Sequence, residues 1–455
     1  MNSPGTDKKV EFHPDAAERF NQLAAEILRS VGAFGNAEPA RIGLGQLHPV
    51  ANITSADIVG QIELVESAVN GLGEEMGRFW NSKGLRVGWE GNQFQAIKDL
   101  AARFEKIRSI EGRVSRQFLL DEISSWLRET LERNRTDMLT DYVAQRCSEE
   151  IRDYEIWIPI YRSYSANEFA IGDVQFRVIS KAMLDKWYAD ASKDSASEPV
   201  LTYVINRERA AIQGSVAACV KVNAEVEKAR QIAQTKAAEA VGLLRLLSPV
   251  NWTCKLVSYC LPVGKENTQS TLELFVKDGA IENTSKGTIE HGPSGWNIDE
   301  ARCRNPGLLE ALNHLASNRE ATGFRRDLYE TLLLYSRHSI SAEISHKIVF
   351  VTAALESLLL KDSHEPIQKN LGERMAFLIG SNLAERKDVV SNVEAFYDIR
   401  SRFVHHGREV SSTDTEIVDK FFVNAWFCLT RLLPQVSQYA TKSFLIDTLE
   451  DRKLS

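Results

Sequence analysis

The chain has no apolar run long enough to cross a bilayer. Its most apolar stretch, Ile348 to Leu360, is interrupted by Glu356 and falls short of the roughly 20 residues that a spanning helix needs. Nor does the amino terminus carry the apolar core of a secretory signal, since Pro4, Gly5, Asp7, Lys8 and Lys9 come before any apolar stretch. The expectation is a cytoplasmic protein with no membrane partner. Cysteine is sparse. Cys147, Cys219, Cys254, Cys260, Cys303 and Cys428 form no C-x-x-C pair and no Cys/His cluster at zinc spacing. They read as reduced thiols, and no disulfide framework, metal or other cofactor is expected. Positive charge is not in excess either. With 55 Lys+Arg against 62 Asp+Glu the net charge is −7, which excludes a global basic field able to hold duplex nucleic acid by its phosphates. Any nucleic-acid site has to be local. The chain also lacks low-complexity tracts and any self-similar period of about 20–50 residues, which excludes repeat architectures.

What is present is an ordinary globular composition, 43% hydrophobic and 26% charged over 455 residues. At about 100–200 residues per domain, that length corresponds to about two to four domains. From Ala56 to about Tyr154 the apolar residues fall mostly at helical spacing, as in Leu119, Leu120, Ile123, Trp126, Leu127 and Leu131. Residues 1–153 are therefore expected to be a helical region, with a Gly- and Pro-dense loop or docked arm between Val31 and Pro49. Near Ile156 the period changes to two. Ile156, Ile158 and Ile160 alternate with Trp157, Pro159 and Tyr161, and Val174, Phe176 and Val178 alternate with Gln175 and Arg177. Further strands are expected at Val200–Ile205, Thr253–Leu261 and Thr271–Val276, with an alanine-rich helix from about Ala224 to Leu247 that Ser248-Pro249 stops. Residues 154–299 read as a mixed α/β region with a regulatory or sensor role. From 300 to 455 helical periods return, through Leu308–Leu315, Leu328–Tyr335, Ile344–Leu360, Ile367–Ile379, Val389–Val404 and Ile417–Leu433. The expected fold class is α+β, ending in an all-α bundle.

The densest polar cluster inside an apolar helix is Tyr397-Asp398-Ile399-Arg400-Ser401-Arg402-Phe403-Val404-His405-His406-Gly407-Arg408. On a helix Ser401 and His405 share a face, Arg402 lies three positions before His405, and Arg400 sits one step round with a long side chain. A guanidinium, a hydroxyl and an imidazole therefore converge. Gly407 suits a helix C-cap, and the negative end of the helix dipole there favours imidazolium at His405 or His406. Attack of a ribose 2′-hydroxyl on the adjacent phosphate fits these groups. It needs a proton acceptor, a proton donor and a cation beside the developing charge, which His and Arg supply without a metal. The same residues also fit a solvated helix end, where cations are favoured in any case.

The segment Tyr397-x-x-Arg400-Ser401-x-x-Val404-His405 is preceded by Ala354-Leu355-Glu356-Ser357-Leu358-Leu359 and by Glu373-Arg374-x-Ala376-x-Leu378. Together they resemble the HEPN superfamily and, within it, the Apea-like branch. The strong part of the likeness covers Ile344 to Gly407. A weaker likeness extends to Ile156–Ile160, Phe169–Phe176 and Leu243-Leu244-Arg245-Leu246-Leu247, and it does not reach residues 1–150. The resemblance implies a helical domain that forms a homodimer, with two R-x4-6-H motifs facing each other and cutting RNA without metal. By position, Arg400 would hold the scissile phosphate and His405 would be the acid/base. Ser401 stands where many active members have Asn, Asp or His, although serine suits this branch, and His406 is a register alternative. Arg402, His406 and Arg408 would add RNA contacts, and Tyr397 would give structural support. Glu356 and Arg374 sit in apolar helical repeats and read as structural, a buried pair tying helices together.

The activity so implied is an endoribonuclease that leaves 2′,3′-cyclic phosphate ends on single-stranded or looped RNA. It would serve as a toxin or antiphage effector held in check until a phage-derived trigger or regulatory partner acts. The alternative is a non-catalytic HEPN module that binds RNA, a nucleotide or a protein. Two lesser features remain. Trp80 and Trp89, among Arg78, Lys83 and Arg86, suit either stacking on unpaired bases or a core, and Glu290-His291, with no second ligand nearby, reads as a solvated turn.

Overall fold

The computed structural model describes residues 10–36, 66–191, 212–258, 260–262, 270–277, 280–288, 296–318, 322–361, 365–406, 410–411 and 413–454. The chain forms two compact units, residues 1–154 with 223–231, and residues 155–222 with 232–455. The boundary expected between 299 and 300 falls within the second. The fold class is α+β, with helices at the carboxy terminus.

In the first unit, α1 (Pro14–Arg29) begins with a proline at a position where no amide donor is needed. It turns Phe20, Ala24 and Ile27 inward at helical intervals. Four strands follow, β1 (Gly32–Asn36), β2 (Glu66–Val69), β3 (Glu75–Ser82) and β4 (Leu85–Glu90), joined antiparallel in the order β1-β4-β3-β2. This sheet corrects the wholly helical region expected here. Its sequence lacks the alternation of a half-buried strand because β3 is covered on both faces, so that Phe79 and Trp80, adjacent in the chain, are both buried. Register places Ser67, Arg78 and Trp89 in one row on one face. Helices α2 (Asn92–Glu105), α3 (Arg116–Leu131) and α4 (Leu139–Glu150) complete a core in which Trp89 is 1% and Trp80 8% exposed. Trp89 Nε1 donates to the Ile27 carbonyl at 3.0 Å, and the two indoles lie 5.3 Å apart. Both tryptophans are core residues and not platforms for bases. Their basic neighbours are engaged too, Arg78 with Glu75 and Asp121, and Arg86 over the Phe79 ring at 3.8 Å.

Next along the chain come β5 (Arg152–Pro159), β6 (Ser163–Tyr164), β7 (Phe169–Ile171), β8 (Val174–Val178), α5 (Lys181–Ala191) and β9 (Val216–Ala224). They include a sheet of order β5-β9-β8-β7, with Phe169 stacked on Phe176. The alanine-rich helix α6 (Val226–Leu244) runs into a 3-10 turn at Arg245–Leu247 and ends at Ser248-Pro249, as its sequence implies. A hairpin of β10 (Ser270–Lys277) and β11 (Ala280–Thr288) agrees with the strand expected at Thr271–Val276, and β12 (Trp296–Asn297) pairs in parallel with β6. The strand expected at Thr253–Leu261 does not form among the described residues. The Cys254 amide and Thr253 hydroxyl donate instead to Asp419, and the Ser258 amide donates to the Ser339 carbonyl, so this backbone finds partners without a ladder. Val200–Ile205 and Glu290-His291 lie outside the described residues.

The rest is helical, α7 (Ile298–Arg304), α8 (Leu308–Ala316), α9 (Phe324–Ser336), α10 (Ile344–Leu359), α11 (Ile367–Ile379), α12 (Leu383–His406), α13 (Asp414–Leu432) and α14 (Lys442–Leu454). α11 packs on α10, α12 and α13, α13 packs on α10 and α12, and α9 lies against α10. α13 buries Val418, Phe421, Phe422, Ala425, Trp426 and Leu429 along one stripe. Phe421 stacks on Phe396 of α12 at 3.6 Å, and Trp426 Nε1 donates to the Leu246 carbonyl at 2.8 Å. The six cysteines are free thiols, Cys303 exposed and the others buried. No described helix is long and apolar enough to cross a membrane.

One close approach in the first sheet is open to test. At Gly88 a Cβ would stand 2.0 Å from the Arg78 carbonyl oxygen and 2.9 Å from the Phe79 Cα, backbone atoms that move only if the strand pair opens. Gly88→Ala is expected to destabilise the first unit by about 1–3 kcal/mol, read by chemical denaturation followed through tryptophan fluorescence. An unchanged midpoint would show that the β3–β4 pair opens at Gly88 without cost.

Candidate functional site

α12 buries Val389, Val393, Phe396 and Tyr397 at three- and four-residue intervals. Arg400 occupies the next place on that seam, three residues after Tyr397, and emerges at its edge with its side chain 32% exposed. Facing it is Glu356, the charge that interrupts the apolar sequence of α10. Tyr397 Oη donates to Glu356 Oε1 at 2.6 Å, and Arg400 Nη2 stands 3.7 Å from the same oxygen. The guanidinium carbon lies 5.4 Å from the centre of the Tyr397 ring. Burial, the bond to Glu356 and the charge of Glu356 push the Tyr397 hydroxyl far above its usual pKa, so it stays a neutral donor.

A separation of 3.7 Å is an ion pair but too long for a hydrogen bond. Arg400 Nε, itself buried, has no hydrogen-bond partner among the described residues. The cation is therefore positioned by a carboxylate and a ring without having its donors consumed. An oxyanion brought to this edge would meet a guanidinium whose planar fork can pair with two oxygens.

The other residues singled out in the sequence take distinct places. Ser401 is exposed on α12. Arg402 is exposed as well, and is paired with Asp414 at the start of α13 at 3.0 Å. α12 is helical through His406, which sets His405 about 7.5 Å further along the axis than Arg400 and one turn beyond Ser401. The side chains of His405 and His406, and the whole of Arg408, lie outside the described residues. No group of three or more His, Cys, Asp or Glu among the described residues is placed to hold a metal ion.

The pair expected between Glu356 and Arg374 is not formed. Arg374, 2% exposed, grips Glu365 with Nη1 and Nη2 at 2.7 and 2.9 Å, donates from Nε to Glu450 at 2.9 Å, and donates from Nη1 to the Leu359 carbonyl at 2.7 Å. It thus ties the end of α10 to α14, while Glu356 turns to Tyr397 and Arg400. Both carboxylates on Arg374 come from outside the three segments that carry the family likeness, which is why their pairing was not visible in those motifs. The sequence does name Glu356, Tyr397 and Arg400 separately. The signal for their junction was a single charge inside the most apolar stretch of the chain, since a charge so placed needs a partner.

The Arg374 network yields a pH prediction. The bonds from Arg374, working against burial and aided by the Lys361 amide, pull the Glu365 carboxyl from its ordinary 4.5 down to about 2. A depressed carboxyl contributes stability that is present above the unfolded value and is lost as pH falls through the folded one. Stability should therefore drop between pH 4.5 and 2, and Arg374→Ala should flatten that limb while costing about 3–5 kcal/mol at neutral pH. Denaturation midpoints across this range check it, and an acid limb identical in the variant would remove Glu365 as its source. In comparisons with known proteins, no family model, no curated protein and no solved structure matches this chain.

Proposed function

We propose that the protein is a HEPN-type endoribonuclease that cuts single-stranded or looped RNA and acts as a regulated toxin or antiphage effector. In this reading His405 takes the proton of a ribose 2′-hydroxyl, whose oxygen attacks the adjacent phosphorus. The bond from phosphorus to the 5′-oxygen breaks, and that oxygen leaves with a proton from a second acid, His406 or the histidine of a second copy. The products are a 2′,3′-cyclic phosphate and a 5′-hydroxyl end. Arg400 balances the charge that builds on the phosphate, and Ser401 offers a hydroxyl beside it.

The observation that carries this reading is Arg400. It lies on the helix that ends in His405-His406 and stands beside Tyr397 and Glu356, yet its guanidinium makes no hydrogen bond among the described residues. A homodimer through the helical part would bring two such edges together, which explains how so few groups suffice. The upstream regions would restrain the nuclease until a phage-derived trigger or partner acts.

One feature favours the second reading, a non-catalytic module that only holds RNA, a nucleotide or a protein. Glu356 stands against Arg400 and partly offsets the charge that a phosphate would see. End-mapping of total RNA from cells expressing the wild type, Arg400→Ala or His405→Ala separates the two. The nuclease produces new 2′,3′-cyclic phosphate ends that either variant reduces by at least about 100-fold, while the module leaves RNA length unchanged in all three. Glu356→Gln keeps an acceptor for Tyr397 but removes the counter-charge, and should raise RNA affinity and steepen its salt dependence. Unchanged affinity would show that Arg400 does not meet the RNA.

A further inference from the structure

The first unit holds a cleft of about 310 Å³ between its sheet and α3, at the lower end of the range of small-molecule sites, about 300–1,000 Å³. Both walls follow from the periods of their elements. β3 presents Arg78 and Trp80, two residues apart, on the face whose register row contains Ser67 and Trp89. α3 buries one stripe in the core, through Ile123 and Leu127, and lines the cleft with a second, Asp121, Ser124, Ser125 and Arg128, again at three- and four-residue spacing.

The charges of the lining answer one another. Arg78 donates from Nε and Nη2 to Glu75 at 2.6 and 3.0 Å, and its Nη1 stands 2.6 Å from Asp121 Oδ1. With Arg128, two cations stand against two carboxylates, so the cleft as a whole favours neither an anion nor a cation. Its hydrogen-bonding groups are not all answered. Trp89 Nε1 donates to the Ile27 carbonyl, but Trp80, 8% exposed, has its Nε1 buried without a partner. On α3, the Ser125 hydroxyl makes no hydrogen bond among the described residues, and neither does Asp121 Oδ2, since Gln117 and Arg78 both meet Oδ1. A buried N–H without an acceptor is costly, and native folds leave few of them.

We propose that this cleft is a binding site for a small uncharged ring that carries a carbonyl beside an N–H, the edge of a cyclic amide. The carbonyl accepts from Trp80 Nε1, the ligand N–H donates to Asp121 Oδ2, and the Ser125 hydroxyl joins them. Trp80 stays a core residue and contributes its N–H, with no base stacked on its ring. The balanced lining gives a charged ligand no return for the water it loses, and a buried donor that only the ligand answers discriminates against analogues that cannot complete the pairing. The cleft lies within the first unit, shares no residue with the Arg400 edge, and the proposal does not depend on RNA cleavage.

Calorimetric titration of the full chain with the lactam carbostyril, coumarin and benzoate tests it. Coumarin keeps the two rings and the carbonyl of carbostyril but has a ring oxygen in place of the N–H, and benzoate is an anion. Carbostyril should bind at least tenfold tighter than either. In protein with isotope-labelled tryptophan, the indole N–H resonance that disappears in Trp80→Phe should move downfield when the wild type is saturated with carbostyril. Asp121→Ala alters a side chain that is 52% exposed and leaves Arg78 its bonds to Glu75. It should weaken carbostyril at least tenfold with little change in the thermal midpoint of the free protein. Absence of carbostyril binding, coumarin or benzoate binding as tightly, a Trp80 resonance unmoved at saturation, or full affinity in Asp121→Ala would each overturn the proposal.

Discussion

A carboxylate on an apolar helix must be compensated, and the candidate site is arranged around that requirement. Glu356, 23% exposed, stands at the edge of the apolar helix α10 facing α12, where a charge partly withdrawn from water is stabilised by a partner. Tyr397 answers it with a short hydrogen bond and Arg400 with a longer ion pair. Because both come from α12 three residues apart, satisfying one carboxylate fixes the rotation of that helix. The edge on which Arg400 emerges, and the direction in which α12 carries Ser401 and His405, follow from that rotation.

The same requirement organises irregular backbone elsewhere in the second unit. Lys347 is fully buried on α10 and donates to the Leu256 carbonyl, while burial keeps its pKa below the usual lysine value. Asp419 of α13 receives the Cys254 amide and the Thr253 hydroxyl. Arg245 reaches the Cys260 carbonyl. Between Thr253 and Cys260 the described backbone therefore needs no strand ladder, since side chains and carbonyls of the surrounding elements meet its polar groups one by one. His338, also fully buried, is treated differently. Burial lowers its pKa to about 3, so it stays neutral and packs between Tyr335 and Phe422.

How much of this was legible in the sequence varies with the kind of signal. The carboxy-terminal helices were, because each shows one apolar stripe at helical period, as in Val418, Phe421, Phe422, Ala425 and Leu429. The end of α6 was legible from Ser248-Pro249. The first sheet was not, since β3 is covered on both faces and its adjacent Phe79 and Trp80 break the alternation that marks a strand. Thr253–Leu261 misled for the opposite reason. Its apolar residues look like a strand, but its backbone is met by the Asp419 carboxylate, the Ser339 carbonyl, Lys347 and Arg245, none of them on a neighbouring strand. At the candidate site, Glu356, Tyr397 and Arg400 each stood out in the sequence, but the partner expected for Glu356 was Arg374, whereas Tyr397 and Arg400 meet it.

By itself, then, the sequence determined which residues are inside their helices, where α6 and α10–α13 run, and which few polar groups stand out against them. Those properties are local, set by period, capping and the cost of an unpaired charge. Only the tertiary structure decided which charge meets which. Arg374 could have paired with Glu356, but it finds Glu365 and Glu450, while Tyr397 and Arg400 reach Glu356 from the neighbouring helix. The close approach of α9 to α6 was likewise hidden, because Gly242 and Ser336, whose side chain would stand 3.0 Å from a Cβ at Gly242, are far apart in the chain. A pattern along one element reveals which side it buries, and the partner it buries against is a property of the whole fold.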